Sequence, residues 1–394
     1  MKEQKCKPLL IGNGININFG GKAYSNQFII KRIIFNARAG KYDLLFNGKM
    51  SGEQIEETFL NLAEWANAIS RGECDSVVTA EEIPLLEDFK RRYSKKVEHY
   101  YDVGLEDWLF ILHIFFLKND DLKNIWRPVK YSFEQMMLDA IYNDGDIQKI
   151  YLSMGKPVKR WLEQYDKVFT LNYDNNVESL IKKPVFHLHG DYSTPANSEN
   201  PNTILGYQRT EAHQTVVVHG FEHCYCNALF DYRGENKLQV ADGFEKGKES
   251  VKRLSDSGVP ASAFPAPAAG LVQTHREHPE LEIAPTYHFD EFRKLDGEIH
   301  IIGMSPNNDG HIFKLIDQSA VDKVVFYFYS ESEKKQKLPL HQKVEYRSAP
   351  DLWKDMKAAP KKYSCHYNIP TAPWVDKIFE FLGEMSMDPI SRED

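Results

Sequence analysis

The segment from Lys167 to Tyr192 constrains the fold of this chain more than any other. Its sequence, KVFTLNYDNNVESLIKKPVFHLHGDY, predicts a short strand, a polar turn, a short helix, a second strand and a second polar turn. Short strands rich in apolar, β-branched and aromatic residues are typical of parallel strands buried on both faces. Polar groups follow both strands, with Asn172, Tyr173 and Asp174 after the first and His187, His189 and Gly190 closing the second. Because ligands of open α/β sheets bind outside the carboxyl ends of the strands, the segment predicts a pocket rimmed by an amide, a carboxylate and an imidazole.

Composition narrows the class of protein. The 394 residues are enough for one large domain or two of ordinary size. A net charge of −8 disfavours a general electrostatic role on nucleic acid. The five cysteines include no C-x-x-C pair, so they favour a reducing cytoplasm over a disulfide framework or a four-cysteine zinc site. We expect no signal peptide and no membrane span, and the most apolar run, residues 108–117, predicts a buried helix.

A glycine-rich turn follows the first predicted strand, residues 8–12. The turn, Gly12-Asn13-Gly14-Ile15-Asn16, leads into a helix predicted over Tyr24 to Arg38 from its apolar spacing. A strand, a glycine-rich turn and a helix can bring backbone N–H groups to a phosphate. A tight turn without a ligand explains the same pattern equally well.

Residues 51–165 predict four to six helices and form a helical insertion between the first two strands of the sheet. Capping-box signals at Ser51/Gln54, Thr79/Glu82 and Ser132/Gln135 suggest helix starts. Further along, we predict strands at Thr203–Tyr207, Glu298–Gly303 and Asp322–Ser330, helices at Ile312–Gln318 and Trp374–Met385, and a Pro- and Ala-rich loop at 257–270. Cys224 and Cys226, with His219 and His223 nearby, do not match a tight metal-ligand spacing, so no metal is predicted.

Four polar turns are therefore expected at one edge of the sheet: Gly12–Asn18, Asn172–Asp174, His189–Gly190 and Gly303–Asp309. The first and last suit the phosphates and ribose of a dinucleotide, and the middle two suit reaction at a sugar carbon. A histidine at a strand end is more often a hydrogen-bonded structural residue, and an asparagine often only caps a helix. Strand alternation alone leaves the choice between His187 and His189 open.

Four motifs together resemble the sirtuin-like NAD-consuming domains of bacterial anti-phage defence proteins. They are LLIGNGININFGG at 9–21, FTLNYDNNVE at 169–178, FHLHGD at 186–191 and IIGMSPNNDGHI at 301–312. The resemblance implies an α/β fold, a Rossmann-like parallel sheet with a large helical insertion. It divides the chain into a catalytic domain at 1–50 and 166–335, the insertion at 51–165, and a C-terminal extension at 336–394 packed on the core.

The resemblance also implies roles for individual residues. Asn172 would hold the nicotinamide ribose and the attacking water, Asp174 would contact the nicotinamide carboxamide, and His189 would be the general base. The residues expected to face the rest of NAD are Gly12, Asn13, Gly14, Asn16, Gly303, Ser305 and Asp309. Asn13 stands where sirtuins usually have alanine.

Protein-deacylating sirtuins carry a zinc ribbon of paired cysteines, which this sequence lacks. The resemblance thus implies a metal-free NAD hydrolase that releases nicotinamide and ADP-ribose and acts in anti-phage defence by depleting NAD in the cytoplasm. It further implies a homo-oligomer, with a separate regulatory subunit such as a ring-shaped DNA-translocase ATPase. The alternatives are an abortive-infection H-type protein, which shares the GNG turn and a late His-Gly pair, a non-catalytic sensor of NAD or ADP-ribose, and a protein deacylase.

Overall fold

The computed structural model describes residues 7–212, 217–307 and 309–356. Within them, six parallel strands form one sheet in the order β3-β2-β1-β4-β5-β6. The strands are β1 Pro8–Ile11, β2 Lys167–Thr170, β3 Phe186–His187, β4 Asp296–Ile302, β5 Ala320–Phe328 and β6 Lys343–Ser348.

The helices between the strands account for most of the remaining described chain. They are α1 Gly14–Gly20, α2 Asn26–Arg38, α3 Gly52–Ser70, α4 Ile83–Arg92, α5 Asp107–Lys118, α6 Trp126–Tyr142, α7 Lys156–Leu162, α8 Asn176–Ile181, α9 Ile204–Glu211, α10 Gly234–Asp256, α11 Ala266–Glu277, α12 Phe289–Arg293, α13 Gly310–Gln318, α14 Glu331–Lys334 and α15 Ala349–Asp355.

The direction in which the sheet is built reverses between the neighbouring strands β1 and β4. The chain builds the sheet outward in one direction from β1 to β3, then returns to the other side of β1 and continues from β4 to β6. Leu9 of β1 pairs with Val168 of β2 and, on its other side, with His300 of β4. This is the order of the doubly wound nucleotide-binding sheets, whose ligand crevice opens where the winding reverses. The prediction of an α/β, Rossmann-like fold with helical insertions is confirmed.

The core of the sheet explains why its strands lack polar alternation. Every residue of β1 is buried, so both faces of this strand are covered. On one face, Leu10 joins Phe169 and Ile301 in a cluster that includes Ile312 and Phe313 of α13. Since α13 directly follows the loop after β4, this packing fixes the position of that loop over the sheet edge.

The helices α3 to α7 lie between β1 and β2, as predicted for residues 51–165. The capping box of Ser51 and Gln54 begins α3, with each side chain bonded to the other residue's backbone N–H. The apolar run at 108–117 lies within α5, which is buried around most of its circumference. In the described ranges, no helix combines the length and the apolar character needed to span a bilayer.

Several local predictions were wrong. Residues 203–207 are not a strand: Thr203 caps α9, its hydroxyl accepting from the Gly206 amide at 3.2 Å, so the side chain acts as a helix-start signal. Ser132 lies inside α6, where its hydroxyl donates to the Leu45 carbonyl at 2.7 Å. Thr79 bonds to Glu82 but precedes the start of α4.

The Pro- and Ala-rich stretch at 257–270 also departs from the prediction, because α11 begins inside it at Ala266. Proline is tolerated in the first turn of a helix, where its missing N–H has no partner to lose. Strand β6 lies within the stretch assigned to the C-terminal extension and pairs along β5. The helix predicted at Trp374–Met385 lies outside the described residues. Cys74, Cys224 and Cys226 are buried free thiols.

Candidate functional site

The loops after β1 and β4 meet at the point where the winding of the sheet reverses. The Gly12 amide donates to the Ile302 carbonyl at 2.9 Å, and the Gly14 amide donates to the Gly303 carbonyl at 2.7 Å. A side chain at Gly303 would meet the Gly12 carbonyl at 2.7 Å, and Gly303 has φ +72°, which favours glycine. These glycines are therefore required by backbone packing, and the amides of Gly12 and Gly14 are already used within the protein.

The two asparagines of the glycine-rich turn contact each other, since Asn16 Nδ2 donates to Asn13 Oδ1 at 3.4 Å, but their other partners differ. Asn13 is exposed and donates from Nδ2 to the Tyr24 carbonyl at 3.0 Å. Asn16 is buried and donates from Nδ2 to Asp174 Oδ2 at 2.6 Å. Asn16 thus links α1 to the loop after β2, at the same edge of the sheet.

Asp174 is the centre of a buried amide network. Besides Asn16, its carboxylate accepts from the Asn176 backbone N–H at 3.1 Å and from Asn176 Nδ2 at 2.5 Å. Asn176 also donates to the Ile147 carbonyl at 2.7 Å, which connects the network to the helical insertion. Burial raises the pKa of Asp174 despite these donors.

Asn172 lies between the glycine-rich turn and the loop after β2. Its backbone N–H donates to the Thr170 hydroxyl at 3.0 Å, and its Nδ2 approaches the Gly12 carbonyl at 3.4 Å. Its own carbonyl accepts from His187 Nδ1 at 2.9 Å. The predicted ribose-binding amide is thus placed directly over the end of β1.

The structure separates the roles of the two histidines of the His-Leu-His motif. His187 Nε2 bonds to Glu178 Oε1 at 2.5 Å, so both of its ring nitrogens face acceptors. Burial lowers the pKa of His187, but Glu178 outweighs burial and raises it above the usual range. Because acceptors occupy both ring nitrogens, His187 is held as a hydrogen-bonded residue between the loop after β2 and α8.

His189 faces a second histidine across the site. Its Nε2 lies 3.0 Å from Nε2 of His311, and the two rings stack with centroids 5.1 Å apart. Both side chains are buried, with 3% and 4% of their surface exposed. Burial, and then the charge of Lys237, lowers the pKa of His189 well below its usual value and that of His311 to about 3. Both imidazoles are therefore neutral at physiological pH.

Asp309 joins this pair as a third ligand-type side chain. Its carboxylate and the two imidazoles each offer an atom within 4.8 Å of the others. Asp309 precedes α13 with φ 55°, a left-handed conformation that is uncommon outside glycine, and its side chain does not cap the helix. Burial raises the pKa of Asp309.

An ion pair lies beside the three residues. Lys237 of α10 is only 2% exposed and its Nζ donates to Glu106 Oε1 at 2.6 Å. The Glu106 side chain is 40% exposed, yet the surrounding protein raises its pKa to about 7, mainly by desolvation. Glu106 is thus the solvent-accessible member of the ion pair, and Lys237 is the buried one.

The structure gathers the predicted residues into two groups. One contains Asn16, Asn172 and Asp174 with Gly12, Gly14 and Gly303, and the other contains His189 and Asp309. Among the described contacts, the Ser305 hydroxyl accepts only from the Asn307 amide, at 3.3 Å. Asn13 lies at the margin of the first group, where it accepts from Asn16 and donates to the Tyr24 carbonyl.

Sequence reasoning missed three residues of the site: His311, Lys237 and Glu106. The signal for His311 was present, because Asp309-Gly310-His311 follows a predicted strand end. Glu106 and Lys237 carry no such signal, since a single charged residue near a helix start usually only caps or solvates it.

Comparison of the chain with protein-family models, curated proteins and solved structures found no match. The case for a function therefore rests on the edge of the sheet, where four loops and a pair of neutral histidines converge.

Proposed function

We propose that this protein hydrolyses NAD to nicotinamide and ADP-ribose. The observation that carries the proposal is the convergence of the loops after β1, β2, β3 and β4 at the reversal point of the sheet, where doubly wound folds bind nucleotides. Asn172 over the glycine-rich turn and neutral His189 supply an amide and a base at this edge.

The proposed reaction needs little from the protein beyond positioning and one proton acceptor. The bond between the ribose C1′ and the nicotinamide nitrogen breaks, and its electron pair leaves with nicotinamide. Water adds to C1′ and loses one proton, so that NAD and water give nicotinamide, ADP-ribose and a proton. When His189 donates from Nε2 to His311, its Nδ1 keeps a lone pair that can accept this proton.

Asp174 contributes to the proposed site mainly by positioning. Three N–H groups occupy its carboxylate, two of them from Asn176 and one from Asn16. They hold the loop that carries Asn172 against the start of α1. The contact of Asp174 with the nicotinamide carboxamide remains a prediction of the family resemblance.

The cellular role that we propose is NAD depletion in anti-phage defence. This part rests on the resemblance of the four motifs, as do the proposed homo-oligomer and the regulatory ATPase subunit. An NADase that depletes its own host must be held inactive until triggered, and an oligomer or a partner subunit supplies such control.

The test is nicotinamide release from NAD by the purified full-length protein, alongside His189→Ala and Asn172→Ala. We expect release by the wild type and a loss of at least about 100-fold in each variant, the scale of a missing general base or positioning group. His341→Ala, which removes an exposed histidine paired with Asp317, is the matched control and should keep full activity. Release that persists in His189→Ala would contradict the assignment of the base.

A second candidate is a sensor that binds NAD or ADP-ribose without turnover. The observation that favours it is the engagement of the Asp174 carboxylate by Asn16 and Asn176, which occupies one of the three predicted catalytic side chains. Calorimetric titration separates the two functions. Binding of NAD without nicotinamide release, unchanged in His189→Ala, would favour the sensor.

A further inference from the structure

We propose that His189, Asp309 and His311 form a binding site for a divalent transition-metal ion. The three side chains come from the loops after β3 and β4 and offer two imidazoles and one carboxylate within 4.8 Å of one another. Two histidines and one carboxylate are a common ligand set for such ions. The proposal goes beyond NAD hydrolysis and does not depend on it.

The distance between the two imidazoles fits coordination of one ion. Two nitrogens bound at about 2.1 Å, at angles between octahedral and tetrahedral, lie about 3.0 to 3.4 Å apart. The Nε2 atoms of His189 and His311 lie 3.0 Å apart, at the lower end of this range. A hydrogen bond between the rings explains the same distance, which is why the test below measures binding directly.

The conformation of Asp309 is the second observation. An aspartate that precedes a helix normally accepts from the amides of the first turn, but this side chain does not cap α13. Its backbone also takes a left-handed conformation that costs free energy in a non-glycine residue. Asp309 thus lacks the stabilising cap hydrogen bond and has an unfavourable backbone conformation, while its carboxylate lies near the two histidines.

Glycine at position 234 fixes the second histidine. A side chain there would lie 2.1 Å from Nδ1 of His311, so the first turn of α10 packs directly against the imidazole ring. The packing limits rotation of His311 and keeps its Nε2 directed toward His189. Preorganised ligands of this kind lower the ordering cost of binding an ion.

Lys237 is the feature that opposes a cation, since its ammonium group lies close enough to lower the pKa of both histidines. Glu106 accepts from Lys237 at 2.6 Å and offsets this charge above its pKa of about 7, where its carboxyl is ionised. Asp309 then supplies a negative charge of its own to the ion. The mixed nitrogen and oxygen donors suit Zn²⁺, Fe²⁺, Mn²⁺ or Co²⁺ better than Ca²⁺ or Mg²⁺, which prefer oxygen ligands.

Binding of an ion and the proposed base role of His189 exclude each other. An ion takes the Nε2 lone pairs of both histidines, and neutral rings then carry their protons on Nδ1. Neither ring keeps a lone pair for a proton from water. The metal-bound protein should therefore release nicotinamide from NAD more slowly than the metal-free protein. The test of metal binding does not depend on this result.

The experiment is calorimetric titration of the full-length protein, purified without a histidine tag and stripped with a chelator, with Zn²⁺ in the absence of NAD. We expect one equivalent to bind, and binding weaker by more than about tenfold in His311→Ala and in the isosteric Asp309→Asn. His341→Ala is the control, because this exposed histidine also pairs with an aspartate, Asp317, and its loss should leave affinity unchanged.

Cobalt absorption supplies a measurement on the wild type alone, in case a variant fails to fold. Co²⁺ bound by imidazoles and a carboxylate should show visible d–d bands that Zn²⁺ abolishes. A wild-type protein that takes up neither ion at 100-fold excess (on the order of millimolar), or binding of equal strength in His311→Ala and Asp309→Asn, would overturn the proposal. Since NAD is absent, failure here is separate from failure of nicotinamide release.

Discussion

At the scale of single residues, Asp174 joins two loops through hydrogen bonds that only an acceptor can make. Both of its oxygens accept from amide N–H groups of Asn16 and Asn176. We expect Asp174→Asn to lower the free energy of unfolding by about 1–3 kcal/mol, because one new NH₂ group then faces buried donors. Urea denaturation monitored by circular dichroism measures the change.

The control for this change is Asp256→Asn on α10, an exposed position at the end of a helix. Substitutions at such surface positions usually change stability by less than about 0.5 kcal/mol. Equal effects at the two positions would mean that the buried network does not contribute to stability.

Glu106 gives a prediction for pH dependence. Burial raises its pKa from 4.5 to about 7 in the folded protein. The folded state therefore keeps a proton that the unfolded state releases between these values, so the contribution of Glu106 to stability is present below pH 4.5 and is lost as the pH rises through 7. We expect wild-type stability relative to Glu106→Gln to decrease over this window.

Urea midpoints between pH 4.5 and 7.5 for the wild type, Glu106→Gln and Glu81→Gln measure this effect. Glu81 is exposed, so Glu81→Gln serves as the surface control for the loss of one carboxylate. A pH profile of Glu106→Gln that parallels that of the wild type would show that Glu106 does not titrate in this window.

The contrast between His187 and His189 shows what a sequence can say about a site. Both were predictable as strand-end histidines, but alternation did not separate them. Their partners do: Glu178 is nine residues from His187, while His311 is 122 residues from His189. The pairing of His189 with His311 and of Glu106 with Lys237 depends on how distant elements pack, which local periodicity does not report.

At the scale of elements, we expect alanine substitutions at two glycines to change stability in opposite directions. One glycine lies in the loop after β4, where the winding of the sheet reverses, and the other lies in α10. Gly303 has φ +72° and a Cβ there would lie 2.7 Å from the Gly12 carbonyl, so we expect Gly303→Ala to cost about 2 kcal/mol or more. Gly243 lies inside α10 with open space around its Cβ position. Gly243→Ala should stabilise the protein by about 0.5–1 kcal/mol, because alanine loses less entropy in a helix.

Thermal and urea unfolding of the two glycine variants, side by side with the wild type, test this pair. The changes should have opposite signs. Destabilisation by Gly243→Ala would mean that this face of α10 packs against something in solution, and a neutral Gly303→Ala would mean that the loops after β1 and β4 can separate.

Length alone did not decide which elements were predictable. The short strands β1, β2 and β3 were predicted from their apolar residues, whereas no helix was predicted over the 23 residues of α10. Strands β4 and β5 have continuous apolar runs, and α3 has both a capping box and amphipathic spacing. Residues 203–207 have a strand-like composition, but Thr203 at the N-cap and packing against α11 make them helical. In this segment, capping and tertiary contacts outweigh intrinsic preference.

At the scale of the whole molecule, the helical insertion is tied to the sheet edge at more than one place. Glu106, at the start of α5, pairs with Lys237 beside the two histidines. The Tyr192 hydroxyl donates to the Leu138 carbonyl of α6 at 2.8 Å. The insertion therefore contacts the elements that carry the candidate site.

Asp139 of α6 connects the insertion to three side chains outside it. It is 1% exposed and its carboxylate accepts from Lys41 at 2.9 Å, Tyr42 at 3.0 Å and His223 at 2.9 Å. Burial raises the pKa of Asp139, but His223 and Lys41 outweigh it and lower the pKa below 3.8. Its contribution to stability is thus present above pH 3.8 and is lost as the pH falls through the folded-state value.

We expect Asp139→Asn to lower the free energy of unfolding by about 3 kcal/mol at pH 7, because its three donors lose a buried, charged acceptor. The difference from the wild type should narrow as the pH falls below 3.8, where the wild-type carboxylate gains a proton. Asp144→Asn is the matched control, since Asp144 pairs with the same lysine at 3.0 Å but its side chain is 85% exposed. An exposed ion pair contributes less than about 1 kcal/mol to the free energy of unfolding.

Equal decreases in the free energy of unfolding of Asp139→Asn and Asp144→Asn would show that the charge on Lys41, and not the buried network, holds the insertion to the rest of the protein.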